Sequence, residues 1–157
     1  MLSVVLARLA VFATVAALGL AVAGCAGVRS QTQWMSDRHR GVSALAGEIS
    51  IDGALVIADE EENRATVLAN LANDGAEDEL VQVRVGTVEA EPDGGPLTVP
   101  ANGYAMVGPD GTRLDVEDAG VEVGRLVEVE FVFASAPRAT VDAIVQADEG
   151  IYEGILD

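Results

Sequence analysis

The chain has 157 residues, half of them hydrophobic but only 4 % aromatic, so a single core must be built from Val, Ile, Leu and Ala. Its net charge is −17 with no lysine, and so acidic a protein repels phosphate backbones, which argues against nucleic acid as a partner. One cysteine excludes an intrachain disulfide, and one histidine leaves little for nucleophilic or metal-hydrolytic chemistry.

Residues 1–24 read as a lipoprotein signal peptide. Arg8 precedes an uncharged run from Leu9 to Gly24, about 24 Å long as a helix and shorter than a stable membrane span needs. Small residues then lead to the cysteine, as at a cleavable export signal. Val22, Ala23, Gly24 and Cys25 resemble the bacterial lipobox, in which an aliphatic and two small residues precede the acylated cysteine. Two or more acyl chains give stable anchoring where one is marginal. Cys25 is therefore the expected lipidation site.

Residues 25–47 are polar and mildly basic and read as a lipidated, flexible tether. Arg29, Arg38 and Arg40 would sit beside anionic headgroups, with Trp34 at the interface. Met35 and His39 are four apart and are weak candidates for copper. Beyond residue 47 the charge reverses, with five arginines against 25 acids.

Residues 48–147 alternate branched side chains with turn chemistry. GEISIDGALVIA is a first strand region, with a bulge or kink at Asp52-Gly53. ATVLANLAN, 65–73, lacks helix caps and runs into Asn73-Asp74-Gly75, so it is read as a strand ending in a turn. In LVQVRVGTVEA, Val81, Val83 and Val85 are expected on one face, Gln82 and Arg84 on the other. PLTVP, YAMVG and TRLDV are short strand pieces between Gly and Pro signals. In VGRLVEVEFVFAS, Val127, Val129, Phe131 and Phe133 oppose Glu128 and Glu130. ATVDAIVQA is the last strand, and 148–157 is a tail whose Ile151, Tyr152, Ile155 and Leu156 are placed to dock on the domain. About seven short strands at regular spacing predict an all-β, antiparallel β-sandwich.

The order of these features resembles the periplasmic copper chaperone PCu(A)C family, and within it an actinobacterial lipoprotein branch. Asn73-x-Gly75 and an acidic run reach Leu80-Val81; Val99-Pro100-Ala101-Asn102-Gly103 and Pro109-Asp110-Gly111 follow; then come Val123–Val129, Phe131–Phe133 and Ala139–Val145. The resemblance implies a cupredoxin-like β-sandwich. It also implies Cu(I) held by two His and two Met, ligands whose softness suits that ion. Val88-Glu89, Glu91–Gly95, Arg113 and Asp115 stand where those ligands are expected, and Met106 is the only methionine of the domain body. The resemblance thus speaks for the fold and against the family's metal activity.

The acidic groups 59–62 and Asp74, Glu77, Asp78 and Glu79 lack the EF-hand order and read as solvated loops. The expectation is a non-enzymatic, extracytoplasmic lipoprotein held on the cell membrane by Cys25. It would be an envelope binding or scaffolding module with no cofactor, and its partner would be an envelope protein or small ligand. The alternative is a copper chaperone with atypical ligands, or a calcium-binding envelope protein.

Overall fold

The computed structural model describes residues 41–157. It contains ten strands: β1 Val42–Ala46, β2 Ile49–Asp59, β3 Arg64–Asn73, β4 Asp78–Val85, β5 Val88–Ala90, β6 Leu97–Val99, β7 Gly103–Val107, β8 Asp115–Glu117, β9 Leu126–Phe133 and β10 Ala139–Ala147. A 3-10 turn at Gly150–Tyr152 follows. Cys25, the lipobox residues Val22, Ala23 and Gly24, and Met35 and His39 lie outside the described residues.

The main strand order is β5-β4-β9-β10-β2-β3-β7, with β1 on β2, β6 on β4 and β8 on β3. The sheet curls into two layers that meet at β10. Ala139–Ile144 pair antiparallel with β9. Val145 keeps backbone bonds to Arg125 and Gly124 just before β9, and Val145–Ala147 also pair with Val56–Ala58 of β2. This second ladder is parallel, so the expected purely antiparallel sandwich carries one parallel pair. A strand that changes sheets keeps its own direction and must accept the direction of its new neighbour.

The first strand begins at Val42, inside the stretch read from sequence as tether, and pairs with Ile49–Ala54 of β2. VSALA is short and weakly patterned, and only pairing with β2 makes it a strand. The excess of ten strands over about seven comes from β1 and from β5, which splits off the single run LVQVRVGTVEA at Gly86-Thr87, whereas β6 and β8, three residues each, lie in the expected pieces PLTVP and TRLDV. Strand β3 forms where expected, ending at Asn73.

The Asp52-Gly53 bulge forms. Asp52 opposes Asn70 and Leu55 opposes Leu68, so β2 holds one residue more than β3 there. Gly53 has φ +68°, and a Cβ at Gly41 would collide with its backbone. The two glycines permit this close approach. In β4 a second bulge changes the expected faces. Leu80 opposes Phe133 but Gln82 opposes Val132, leaving Val81 as the extra residue. Leu80, Val83 and Val85 are therefore the buried side chains, and Val81 is half-buried.

Between the layers lie Ile49, Ile51, Val56, Val67, Leu71, Leu80, Val83, Val85, Leu114, Val129 and Phe131, all 2 % exposed or less. Phe131 and Phe133 place both buried phenylalanines on β9, while Val127 at its start is half-buried. A second, smaller apolar cluster lies outside the β2–β3 layer. There Leu55 and Ile57 are covered by Leu156, with Leu68, Ile144, Tyr152 and Ile155 around them. The C-terminal tail thus docks on the domain, as its aliphatic residues suggested.

Candidate functional site

Chain reversals at one end of the sandwich bring four loop and strand pieces together. Gly86-Thr87 turns β4 back into β5, and β5 lies beside β8. The loop that follows carries Glu91–Gly95. Its Asp93 N–H donates to the Arg113 carbonyl at 2.9 Å, and Gly95 closes a turn on the Pro92 carbonyl at 3.0 Å. Arg113 Nε lies 3.4 Å from an Asp115 carboxylate oxygen. Glu91–Gly95, Arg113 and Asp115, separate in sequence, are thus neighbours.

Arg113 points to the tail. Its Nη2 donates to the Ile155 carbonyl at 2.8 Å and its Nη1 to the Asp157 carbonyl at 2.6 Å. Arg64 Nη1 donates to the Leu156 carbonyl at 3.1 Å and also pairs with Glu62. Three successive carbonyls are gripped by two guanidinium groups, whose fixed fork of donors suits such a contact. The Asp148 carboxylate accepts from the N–H groups of Ile155 at 3.0 Å and Leu156 at 3.4 Å. Between these bonds Leu156 inserts over Leu55 and Ile57. This clamp was invisible in the sequence, where Arg64 and Arg113 are isolated charges some 40 or more residues from the tail.

The acidic clusters have local duties. Asp59 caps its own loop by accepting from the N–H groups of Glu61 and Glu62, and Glu60 accepts from Val123 N–H. Asp78 turns inward and is 8 % exposed. It accepts from the N–H groups of Glu79, Ser135 and Ala136 at 2.8, 3.0 and 2.7 Å. Burial raises its pKa, but these backbone donors and the Ser135 hydroxyl together outweigh burial, and the carboxyl stays below its ordinary value. Asp78 therefore ties β4 to the turn after β9. Met106 on β7 is half-buried, opposite Asn70 on β3.

No protein-family model and no curated protein matches the chain. Solved structures share its fold, among them three of PCuAC domains. The apo PCuAC domain from PmoF1 superposes with a TM-score of 0.61 at 24 % identity, over 68 % of this chain and 99 % of that one. The copper-bound PCuAC domain from PmoF2 gives 0.61 at 23 %, over 68 % and 98 %. Its apo form gives 0.60 at 22 %, over 69 % and 98 %. The domain is a PCuAC-like β-sandwich, as the order of sequence features implied.

The described residues do not fit a Cu(I) ion. They include one methionine and neither histidine nor cysteine. They also contain no group of three or more His, Cys, Asp or Glu arranged to hold a metal. At the β5–β8 end the residues in place are carboxylates and the Arg113 guanidinium, a fixed cation. Soft thioether and imidazole donors are what Cu(I) requires.

Proposed function

We propose that the chain is a lipid-anchored, extracytoplasmic binding module built on a copper-chaperone-like scaffold, and that it is not an enzyme. One observation carries this reading. The end of the sandwich at which the resemblance places metal ligands holds instead Arg113, paired with Asp115 and donating to main-chain oxygens of the chain's own tail. It offers hydrogen-bond donors to a peptide backbone rather than a nucleophile and its base. The anchor rests on the lipobox-like Val22-Ala23-Gly24-Cys25. Replacing the acylated thiol should move the protein from the membrane to the soluble fraction or leave it unprocessed. An unchanged membrane fraction and electrophoretic mobility of Cys25→Ala would refute lipidation.

Copper handling is the second reading, favoured by the likeness to the copper-bound PCuAC domain. It requires soft ligands from outside residues 41–157, where Met35 and His39 stand. Titrating the full-length protein with Cu(I) under reducing conditions separates the two. The binding-module reading expects no site tighter than about 1 µM. A tighter site that disappears in Met35→Ala/His39→Ala would replace it with the copper reading, and a tight site insensitive to both changes would refute both.

A further inference from the structure

We propose that the outer face of the β1-β2-β3-β7 layer rests on the bilayer surface, with the acidic layer of the sandwich turned to solvent. The proposal rests on the lipid-anchor reading and names the surface through which the anchored domain meets the membrane.

Register places Leu45 of β1, Ser50 of β2, Ala72 of β3 and Tyr104 of β7 in one row across four strands. Residues opposite one another in antiparallel pairs share a face. That face is the outer one: Ile49, Ile51 and Leu71 beside the row are buried, whereas Leu45 and Tyr104 are each 74 % exposed. At the usual strand spacing these two side chains stand about 14 Å apart. The next row carries Asp52, Asn70 and Met106, with exposed Ser43 at its β1 end. Its one carboxylate, Asp52, accepts from the Ser50 hydroxyl at 3.1 Å. Glu48 and Asp74 stand beyond the rows, in the turns that close the layer.

The other layer has the opposite character. Glu79, Glu89, Glu128, Glu130 and Asp142 all lie on its outer face, around Arg84. The domain's five arginines are paired with its own acids: Arg64 with Glu62, Arg84 and Arg138 with Glu130, Arg113 with Asp115, Arg125 with Glu122. The tether supplies three more, Arg29, Arg38 and Arg40, against Asp37 alone. It joins the chain at Val42, the first residue of β1, so basic charge enters at the uncharged layer. Anionic headgroups attract the tether and repel the acidic layer, which leaves the uncharged face towards the lipid. A tyrosine and a leucine suit the boundary between headgroups and acyl chains.

Area separates a membrane from a free protein partner. The eight positions of the two rows, at about 33 Å² each, cover roughly 260 Å² of sheet. Even doubled for side-chain relief, that is short of the ~800 Å² per partner of a stable protein interface. A contact so small holds only where something else keeps it close. The chain from Cys25 to Val42 reaches at most roughly 60 Å, so an anchored domain meets the bilayer at high effective concentration.

The test reconstitutes the full-length, acylated protein into phosphatidylglycerol/phosphatidylcholine vesicles. Acylation of Cys25 leaves no native free thiol. Single nitroxides are placed by Ser43→Cys or Asn70→Cys on the face and by Glu128→Cys or Asp142→Cys on the other layer, with Leu45 and Tyr104 kept. Labels on the face should be at least about five-fold less accessible to an aqueous nickel relaxant than those on the other layer. Adding Leu45→Asp and Tyr104→Asp should abolish that difference while flotation with the vesicles and the circular dichroism spectrum stay unchanged. Equal accessibility of the two layers in protein that floats would overturn the proposal, as would a difference that survives both aspartates. Spin–spin broadening at Asn70→Cys that disappears on dilution in the bilayer would overturn it too, and would assign the face to a second copy of the chain. Failure to float would refute the anchor and the membrane face with it. Flotation is read before any label, which keeps the two failures apart.

Discussion

At the scale of single residues, the sandwich depends on polar side chains that serve the backbone. Asn73 is 2 % exposed. Its side-chain oxygen accepts from Gly75 N–H at 2.8 Å, and its amide donates to the carbonyls of Ala76 and Val99 at 2.6 and 3.3 Å. Asp78 plays the same part at the next strand. Asp78→Asn replaces one acceptor oxygen with a donor that faces N–H groups. It should cost about 1.5–3 kcal/mol at neutral pH, read from the urea midpoint. The pH dependence follows from the direction of the shift. A carboxyl with a folded pKa below its unfolded value stabilises fully above the unfolded value near 3.9, and the contribution is lost as pH falls through the folded pKa. The gap between wild type and Asp78→Asn should therefore hold at pH 7 and shrink below about pH 4. A gap independent of pH would mean that the carboxylate's charge contributes nothing.

At the scale of elements, periodicity located the strands, and bulges decided which side chains they bury. A run such as LVQVRV reads the same whether its parity is kept or shifted. Only the pairing of Leu80 with Phe133 and Gln82 with Val132 shows that Val81 is the extra residue. The bulge at Gly53 was legible because Asp-Gly interrupts an otherwise apolar strand. Its φ of +68° lies in the left-handed region, where a Cβ is strained. Gly53→Ala should destabilise by about 1–2 kcal/mol with an unchanged denaturant m-value. A neutral result would show that the bulge can relax to another conformation. Of the short strands, β6 and β8 were marked by the turn residues that bound PLTVP and TRLDV, while β1 had no comparable signal, since the five residues VSALA carry too little pattern to stand apart from a tether.

At the scale of the whole molecule, the acidic excess acts on stability as well as on partners. All five arginines of the domain are engaged, so most carboxylates face only one another and solvent. Raising NaCl from about 10 mM to about 1 M shortens the screening length from about 30 Å to about 3 Å. It should therefore raise the Tm. A flat or falling Tm would mean that the paired arginines already balance the field.

The sequence by itself determined the class of fold, the first bulge, the turn at Asn73-Asp74-Gly75 and the apolar character of the tail, because each rests on local pattern or backbone chemistry. The order of its motifs was enough to point to a PCuAC-like sandwich, and solved PCuAC domains share that fold. The tertiary structure alone decided the sheet change of β10, the faces of β4 and the convergence of Glu91–Gly95 with Arg113 and Asp115. It alone joined Arg64 and Arg113 to the carbonyls of residues 155–157. Contacts between residues 42 to 92 positions apart leave no trace in local periodicity. A guanidinium reaching for a main-chain carbonyl selects no particular residue type at the other end, so the tail sequence records nothing of what holds it.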